Sequence, residues 1–199
     1  MDKAGWGGTA EPRLSRREYL IVLFAAPAAN EQPLLVRRND DQLRISAPQL
    51  RFLTGKPLTQ LKDGQTVAFA SQVTLQGESS AQILARTVDR FLISYDLWEE
   101  KFSATRMGPP ARSASRMTAS GCEAWCLDHL LRIPPGLAPD RTLYLRLELR
   151  SEDHREAFGV IGEPGINITR LIELFSRPPK AQQLRWVAAA GPFRLSDLK

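Results

Sequence analysis

The chain has 199 residues, of which 43% are hydrophobic and 25% are charged, proportions typical of a globular protein and not of a disordered chain. This length suits one domain, or a short leader followed by one domain, and does not require disulfides or metals to stabilise the core. The 27 Lys and Arg exceed the 22 Asp and Glu only slightly and are scattered, so the sequence does not predict binding to nucleic acid.

The first pattern along the chain is a pair of arginines directly before a short apolar run. Ser15, Arg16, Arg17, Tyr19 and Leu20 follow the order Ser-Arg-Arg, variable residue, aromatic, Leu. This order resembles a twin-arginine export signal. The resemblance implies export of the folded protein and a transient contact with the twin-arginine translocase.

The end of the apolar run has the composition of a signal-peptidase site. The run, residues 19–29, is much shorter than the roughly 20 residues that a membrane-spanning helix needs. Ala26-Pro27-Ala28 supplies small residues where the peptidase requires them, which predicts cleavage before Ala29. We therefore expect an export signal peptide in residues 1–28 and a single β-rich domain in residues 29–199.

Export predicts a periplasmic or otherwise extracytoplasmic location in a bacterium. Two alternatives remain open for the apolar run. An uncleaved leader would anchor the protein to the membrane. A continuous apolar segment such as residues 19–24 is also typical of a buried β-strand, in which case there is no leader.

The first elements after the leader form a predicted hairpin. Residues 34–38 and 42–46 flank Asn39-Asp40-Asp41, whose side chains favour a turn because they hydrogen-bond to nearby backbone. In this hairpin Leu43 and Ile45 share one face because they are two residues apart.

Three longer strands are predicted next. An Asp-Gly turn leads into a strand over residues 66–75, and a second strand runs from about 83 to 95. The turn 96–99 reverses the chain, and residues 101–105 return antiparallel to it. Residues 106–120, rich in Pro, Ser, Ala, Arg and Gly, predict an exposed loop.

The last third of the chain combines helices and strands. A short helix is predicted from Gly121 to Leu131 with Ser120 as its cap, followed by a strand over 143–150 in which every second residue is Leu. A second helix starts near Asn167 and ends before a Pro-Pro pair, and short strands are predicted at the end of the chain, at 184–187 and 193–195.

These elements predict a mainly β (α+β) fold, an antiparallel β-sandwich or curved sheet with two short helices. The residues expected in its core are Val67, Phe69, Phe91, Ile93, Leu143, Leu145 and Leu147. The order of elements, with Ile93-Ser94-Tyr95-Asp96 closing a long strand, a tight turn, a short helix and the Leu-alternating strand, resembles an uncharacterised family of exported bacterial proteins, a domain of unknown function. The resemblance implies export and a β-rich domain, and it carries over no catalytic residue.

Two cysteines and a histidine form the one metal-site hypothesis. Cys122, Cys126 and His129 stand at positions i, i+4 and i+7, which a continuous helix would place on one stripe. Thiolates and imidazole suit copper or zinc. Two alternatives stay open: the cysteines are small apolar residues in the buried face of the helix, or they form a disulfide, which would require a distorted segment.

The sequence contains no catalytic motif that we recognise. There is no Gly-x-Ser-x-Gly or His-Glu-x-x-His, and His129 and His154 are the only two histidines. We therefore expect an exported cell-envelope or periplasmic binding or structural module without a cofactor. Its partner would be a protein or a cell-envelope ligand of unknown identity. The alternative is an exported copper- or zinc-binding protein that uses Cys122, Cys126 and His129.

Overall fold

The computed structural model describes residues 32–78, 82–108, 110–152, 168–179 and 183–198. The strands are β1 Gln32–Pro33, β2 Leu35–Asn39, β3 Gln42–Ser46, β4 Val67–Gln76, β5 Ile83–Asp96, β6 Lys101–Met107, β7 Arg112–Met117, β8 His129–Arg132, β9 Leu143–Glu152 and β10 Arg185–Phe193. The helices are α1 Gly55–Lys62, α2 Ala119–Cys126 and α3 Ile168–Ser176, with a 3-10 turn at Leu195–Asp197.

Two sheets contain these strands. The large sheet has seven strands in the order β1-β10-β9-β4-β5-β6-β7, and the small sheet has three in the order β2-β3-β8. All pairings are antiparallel except that of β1 with β10, where Gln32 and Pro33 pair with Ala188 and Ala189. The fold is therefore mainly β with short helices, as the sequence predicts.

One face of the large sheet forms the core. Along β4 and β9 the side chains alternate, because successive residues of a strand point to opposite faces. All the residues predicted for the core are buried, with exposed fractions of 7% or less. They are Val67, Phe69, Phe91, Ile93, Leu143, Leu145 and Leu147.

The small sheet and the first two helices pack on this face. Leu43 and Ile45 of the first hairpin are fully buried in the same core, so their predicted common face is confirmed. Phe52, which precedes α1, packs edge-on against Phe69 with ring centroids 4.9 Å apart. The buried carboxylate of Glu123 on α2 accepts hydrogen bonds from the N–H of Phe52 (2.8 Å) and of Leu53 (2.9 Å), joining α2 to the segment before α1.

The opposite face of the large sheet carries a charged network that binds α3. Arg150 donates from Nη1 to the carbonyl oxygens of Leu174 (2.6 Å) and Arg177 (2.9 Å), and from Nε to Glu148 (2.6 Å). A cation suits the end of a helix, where carbonyl groups lack partners within the helix. Burial alone would raise the pKa of Glu148, but Arg185 and Arg150 outweigh it and lower the pKa. The network thus contributes to holding α3 on the sheet, together with the packing of the Arg150 guanidinium over the ring of Phe175.

Two predictions in the middle of the chain are corrected: the short helix is present with other bounds, and the predicted loop contains a strand. The helix predicted over 121–131 begins at Ala119, with Thr118 Oγ1 as the cap accepting from the N–H of Gly121, and ends at Cys126. It stops there because the chain turns into β8, which pairs with β3. The loop predicted over 106–120 instead contains the end of β6 and the edge strand β7, since a polar sequence is compatible with an exposed edge.

Other helices and strands agree with the prediction only in part. A single strand, β10, replaces the two predicted terminal strands, and the residues after it form the 3-10 turn. Helix α1 was not predicted, although Pro57 in its first turn is compatible with a helix start. The second predicted helix is confirmed as α3. None of the helices in the described part of the chain has the length and apolarity needed to cross a membrane.

Candidate functional site

The residues of the metal-site hypothesis lie on two different elements. Cys122 and Cys126 are fully buried on α2 and are not joined by a disulfide. His129 lies beyond the end of α2, on β8, so the single helical stripe that the spacing predicted does not form. The export residues, Ser15, Arg16, Arg17, Tyr19 and Leu20, fall outside the described residues.

The environment of Cys126 favours its neutral thiol. The interaction with the Cys122 side chain and burial both raise the pKa of Cys126. Among the described residues, no group of three or more His, Cys, Asp or Glu side chains is arranged to hold a metal ion. Copper or zinc binding by Cys122, Cys126 and His129 stays a prediction. Metal analysis of the purified protein tests it, with Cys122→Ser as the comparison, because loss of a ligand should release a stoichiometric metal.

His129 instead belongs to a polar cluster between the two sheets. Its Nδ1 lies 2.9 Å from Oδ2 of Asp89 on β5, and the histidine is 1% exposed. Asp89 is partly exposed, and its Oδ1 lies 4.0 Å from Nε of Arg106 on β6. Burial alone would raise the pKa of Asp89, but the hydrogen bond and charge of His129 and the charge of Arg106 outweigh it and lower the pKa.

Arg106 ties this cluster to both sheets. Its guanidinium lies over the rings of Phe91 (5.2 Å to the centroid) and Trp125 (5.6 Å), which favours a cation. Its Nη2 also donates to the carbonyl oxygen of Asp128, directly before β8 (2.8 Å). We call Asp89, Arg106 and His129 the interior cluster. It connects β8 of the small sheet to β5 and β6 of the large one. Asp89 and Arg106 could not be singled out from the sequence, because β8 meets their hairpin only in the tertiary structure.

The most exposed large apolar side chain lies at the turn between β5 and β6. This turn, Leu97 to Glu100, is called the tip. Trp98 is 96% exposed and Leu97 is 57% exposed, whereas the other exposed large apolar residues among those described range from 38% to 49%. A lone surface apolar residue is normal, but an entire indole in water is unusual. The tip therefore exposes nearly the whole side chain of Trp98 and more than half of Leu97 to solvent.

Short hydrogen bonds fix the backbone of the tip. Oδ1 of Asp96 accepts from the N–H of Trp98 (2.8 Å) and of Glu99 (2.9 Å). At the base of the hairpin, the rings of Tyr95 and Phe102 pack with centroids 4.8 Å apart. The indole is thus carried on a turn whose backbone is held by contacts within the hairpin.

The neighbouring edge strand supports the tip from the side. The pairing of β7 with β6 is irregular between Phe102 and Ala104, and Arg116 on β7 adopts a left-handed backbone with φ of 58°. From this position its Nη2 reaches Oε1 of Glu99 at 3.2 Å. Glu100 is also left-handed, with φ of 54°. Non-glycine residues in this region cost of order 1 kcal/mol each, so the surrounding hairpin imposes both conformations.

Comparison with known proteins gives no relative from which a function can be transferred. No protein-family model, no curated protein sequence and no solved structure matches this chain. A function for this protein has therefore to be inferred from its own residues.

Proposed function

We propose that this protein is an exported binding module of the cell envelope that engages its partner through the tip. The observation that carries the proposal is the 96% exposure of Trp98 on a turn held by hydrogen bonds to Asp96. Transfer of an aromatic side chain from water into an apolar site stabilises a complex by about 1.5–3 kcal/mol, and Trp is enriched among the residues that dominate binding energy.

The fixed backbone of the tip adds to this argument. A partner that binds a flexible loop must first order it, which costs binding free energy. Here the hydrogen bonds from Trp98 and Glu99 to Asp96 and the aromatic pair below them have already ordered the turn. Most of the gain from burying the indole would therefore contribute to affinity.

The proposal is tested by site-specific photocrosslinking in the native host. The photoreactive residue p-benzoylphenylalanine replaces Leu97, beside Trp98, and irradiated cells are examined for a discrete adduct. We expect one adduct with Trp98 intact and its loss with Trp98→Ala. The matched control carries the same photoreactive residue at Ile83, which is 47% exposed at the opposite end of β5, and should give no such adduct.

Two results would overturn the proposal. One is a tip that forms no adduct in cells where the protein is present and folded. The other is an adduct that persists in Trp98→Ala. A stability measurement accompanies the experiment: because the indole is exposed, Trp98→Ala should leave the urea unfolding midpoint unchanged within error.

A further inference from the structure

We infer that the partner of the tip is a protein with an apolar pocket and a basic rim, an inference that rests on the proposed function. Asp96, Glu99 and Glu100 flank Trp98 in the sequence of the turn, and all three residues are exposed. Two cations adjoin them: Lys101 lies opposite Asp96 in the pairing of β5 with β6, and Arg116 on β7 forms an ion pair with Glu99. These three carboxylates and two cations give the tip and its immediate surroundings a net charge of about −1, whereas the chain as a whole carries +5.

The carboxylates are available to a partner to different degrees. Asp96 is occupied by the backbone of the turn, and the hydrogen bonds from the N–H groups of Glu99 and Trp98 lower its pKa, so it stays charged. Glu99 faces Arg116 in an ion pair whose side chains are 45% and 75% exposed, which water screens and a partner can replace. Among the described residues, Glu100 has no ion-pair partner. Glu99 and Glu100 are therefore the charges that a basic rim would meet.

This charge pattern favours a protein over a lipid membrane as the binding partner of the tip. Trp and Leu at a turn can also insert into the membrane interface, but stable attachment at the surface of a bacterial membrane is favoured by cations that meet anionic lipids. Carboxylates beside the indole would be repelled by such lipids. A pocket lined by apolar residues and rimmed by Lys or Arg would accommodate Trp98 and attract Glu99 and Glu100.

The test uses the full-length protein with p-benzoylphenylalanine at position 97. In Glu99→Lys/Glu100→Lys, we expect the yield of the Trp98-dependent adduct to fall about tenfold or more, because like charges then face each other. Glu99→Gln/Glu100→Gln should give an intermediate yield. The matched control, Glu78→Lys/Glu173→Lys, makes the same change in net charge at two exposed residues outside the β5–β6 hairpin and should keep the original yield.

A second measurement uses the partner, identified from the adduct by mass spectrometry and purified. Its association with the tip should weaken as sodium chloride is raised, because salt screens exposed charges. The inference fails if the adduct requires Trp98 but is unchanged in Glu99→Lys/Glu100→Lys. In that event the proposed function stands, whereas absence of any Trp98-dependent adduct removes both.

Vesicle flotation provides the contrast with lipid. The protein is mixed with vesicles of phosphatidylcholine alone or with phosphatidylglycerol added. We expect no flotation that depends on Trp98. Flotation that is lost in Trp98→Ala would assign the tip to a membrane surface and overturn the inference of a protein pocket.

Discussion

Asp89 is the residue on which the interior cluster depends. It is the only described acceptor for Nδ1 of the buried His129, and it faces Arg106. Asp89→Asn removes the charge that this site stabilises, and we expect the free energy of unfolding at pH 7 to fall by about 1–3 kcal/mol in urea titrations. Asp128→Asn, whose pair with Arg44 is exposed to solvent, serves as the control and should lose less. Equal losses would contradict the role given to Asp89.

The same carboxylate predicts a dependence of stability on pH. The pKa of Asp89 in the folded protein is lowered from 3.8, so the unfolded chain takes up the proton at a higher pH than the folded one. The stabilisation is therefore complete above about pH 5 and is lost as the pH falls through the folded pKa. The difference between wild type and Asp89→Asn should therefore be present above about pH 5 and shrink below about pH 4. A difference that grew on acidification would contradict this assignment.

At the scale of elements, the alternation of β9 determines which residues support the core. Leu145 is 1% exposed, and Arg146, the next residue, lies on the opposite face. Leu145→Ala should reduce the free energy of unfolding by about 2–5 kcal/mol because it leaves a cavity in a packed core. Arg146→Ala should cost far less. Chemical denaturation of the two variants measures both values, and similar costs would show that the register is wrong.

A single glycine allows β10 to pack beside β9. Gly191 has φ of 134°, and a Cβ atom there would lie 2.8 Å from Cδ1 of Tyr144 and 2.9 Å from the carbonyl oxygen of Leu143. Gly191→Ala should therefore destabilise the protein by about 3 kcal/mol or more, since unfavourable backbone and close contacts add. The control is Gly64→Ala, where φ is 79° and no atom lies within 4 Å of the added methyl. Thermal or urea unfolding should show a clearly smaller loss for the control.

At the scale of the whole molecule, strand pairing joins distant parts of the chain. Strand β4 pairs with β9, and Ala70 lies opposite Arg150 in that pairing. Pairings this distant in sequence form slowly, because the long loop between the strands must first be closed. A protein with such distant strand pairings benefits from an export pathway that transports folded proteins. The predicted twin-arginine leader implies that pathway.

The leader itself stays a prediction and has a direct test. Replacing Arg16 and Arg17 together with Lys should retain the precursor in the cytoplasm, because the translocase recognises the arginine pair. N-terminal sequencing of the exported form should begin at or near Ala29. Fractionation of cells that express each form measures the outcome. Normal export of the double-Lys variant, with a product that still begins at Met1, would show that the segment is not a leader.

The amino-acid sequence by itself determined the elements whose pattern is local. Alternating leucines marked β9, and the Asp-rich turn with Leu43 and Ile45 marked the first hairpin, because a period of two is visible within a few residues. The tertiary structure decided where patterns end and which side chains meet. Helix α2 stops at Cys126 because β8 pairs with β3, and His129 contacts Asp89 instead of the cysteines.

At the tip, too, the sequence predicts some features and the tertiary structure decides the others. The turn at the tip was predictable from Asp96 and the reversal after it, but the exposure of Trp98 was not, because a tryptophan is buried or exposed according to what packs over it. The edge strand β7, which brings Arg116 beside Glu99, has no apolar alternation to mark it. Both features arise from contacts between segments of the chain, and those contacts exist only once the sheet has formed.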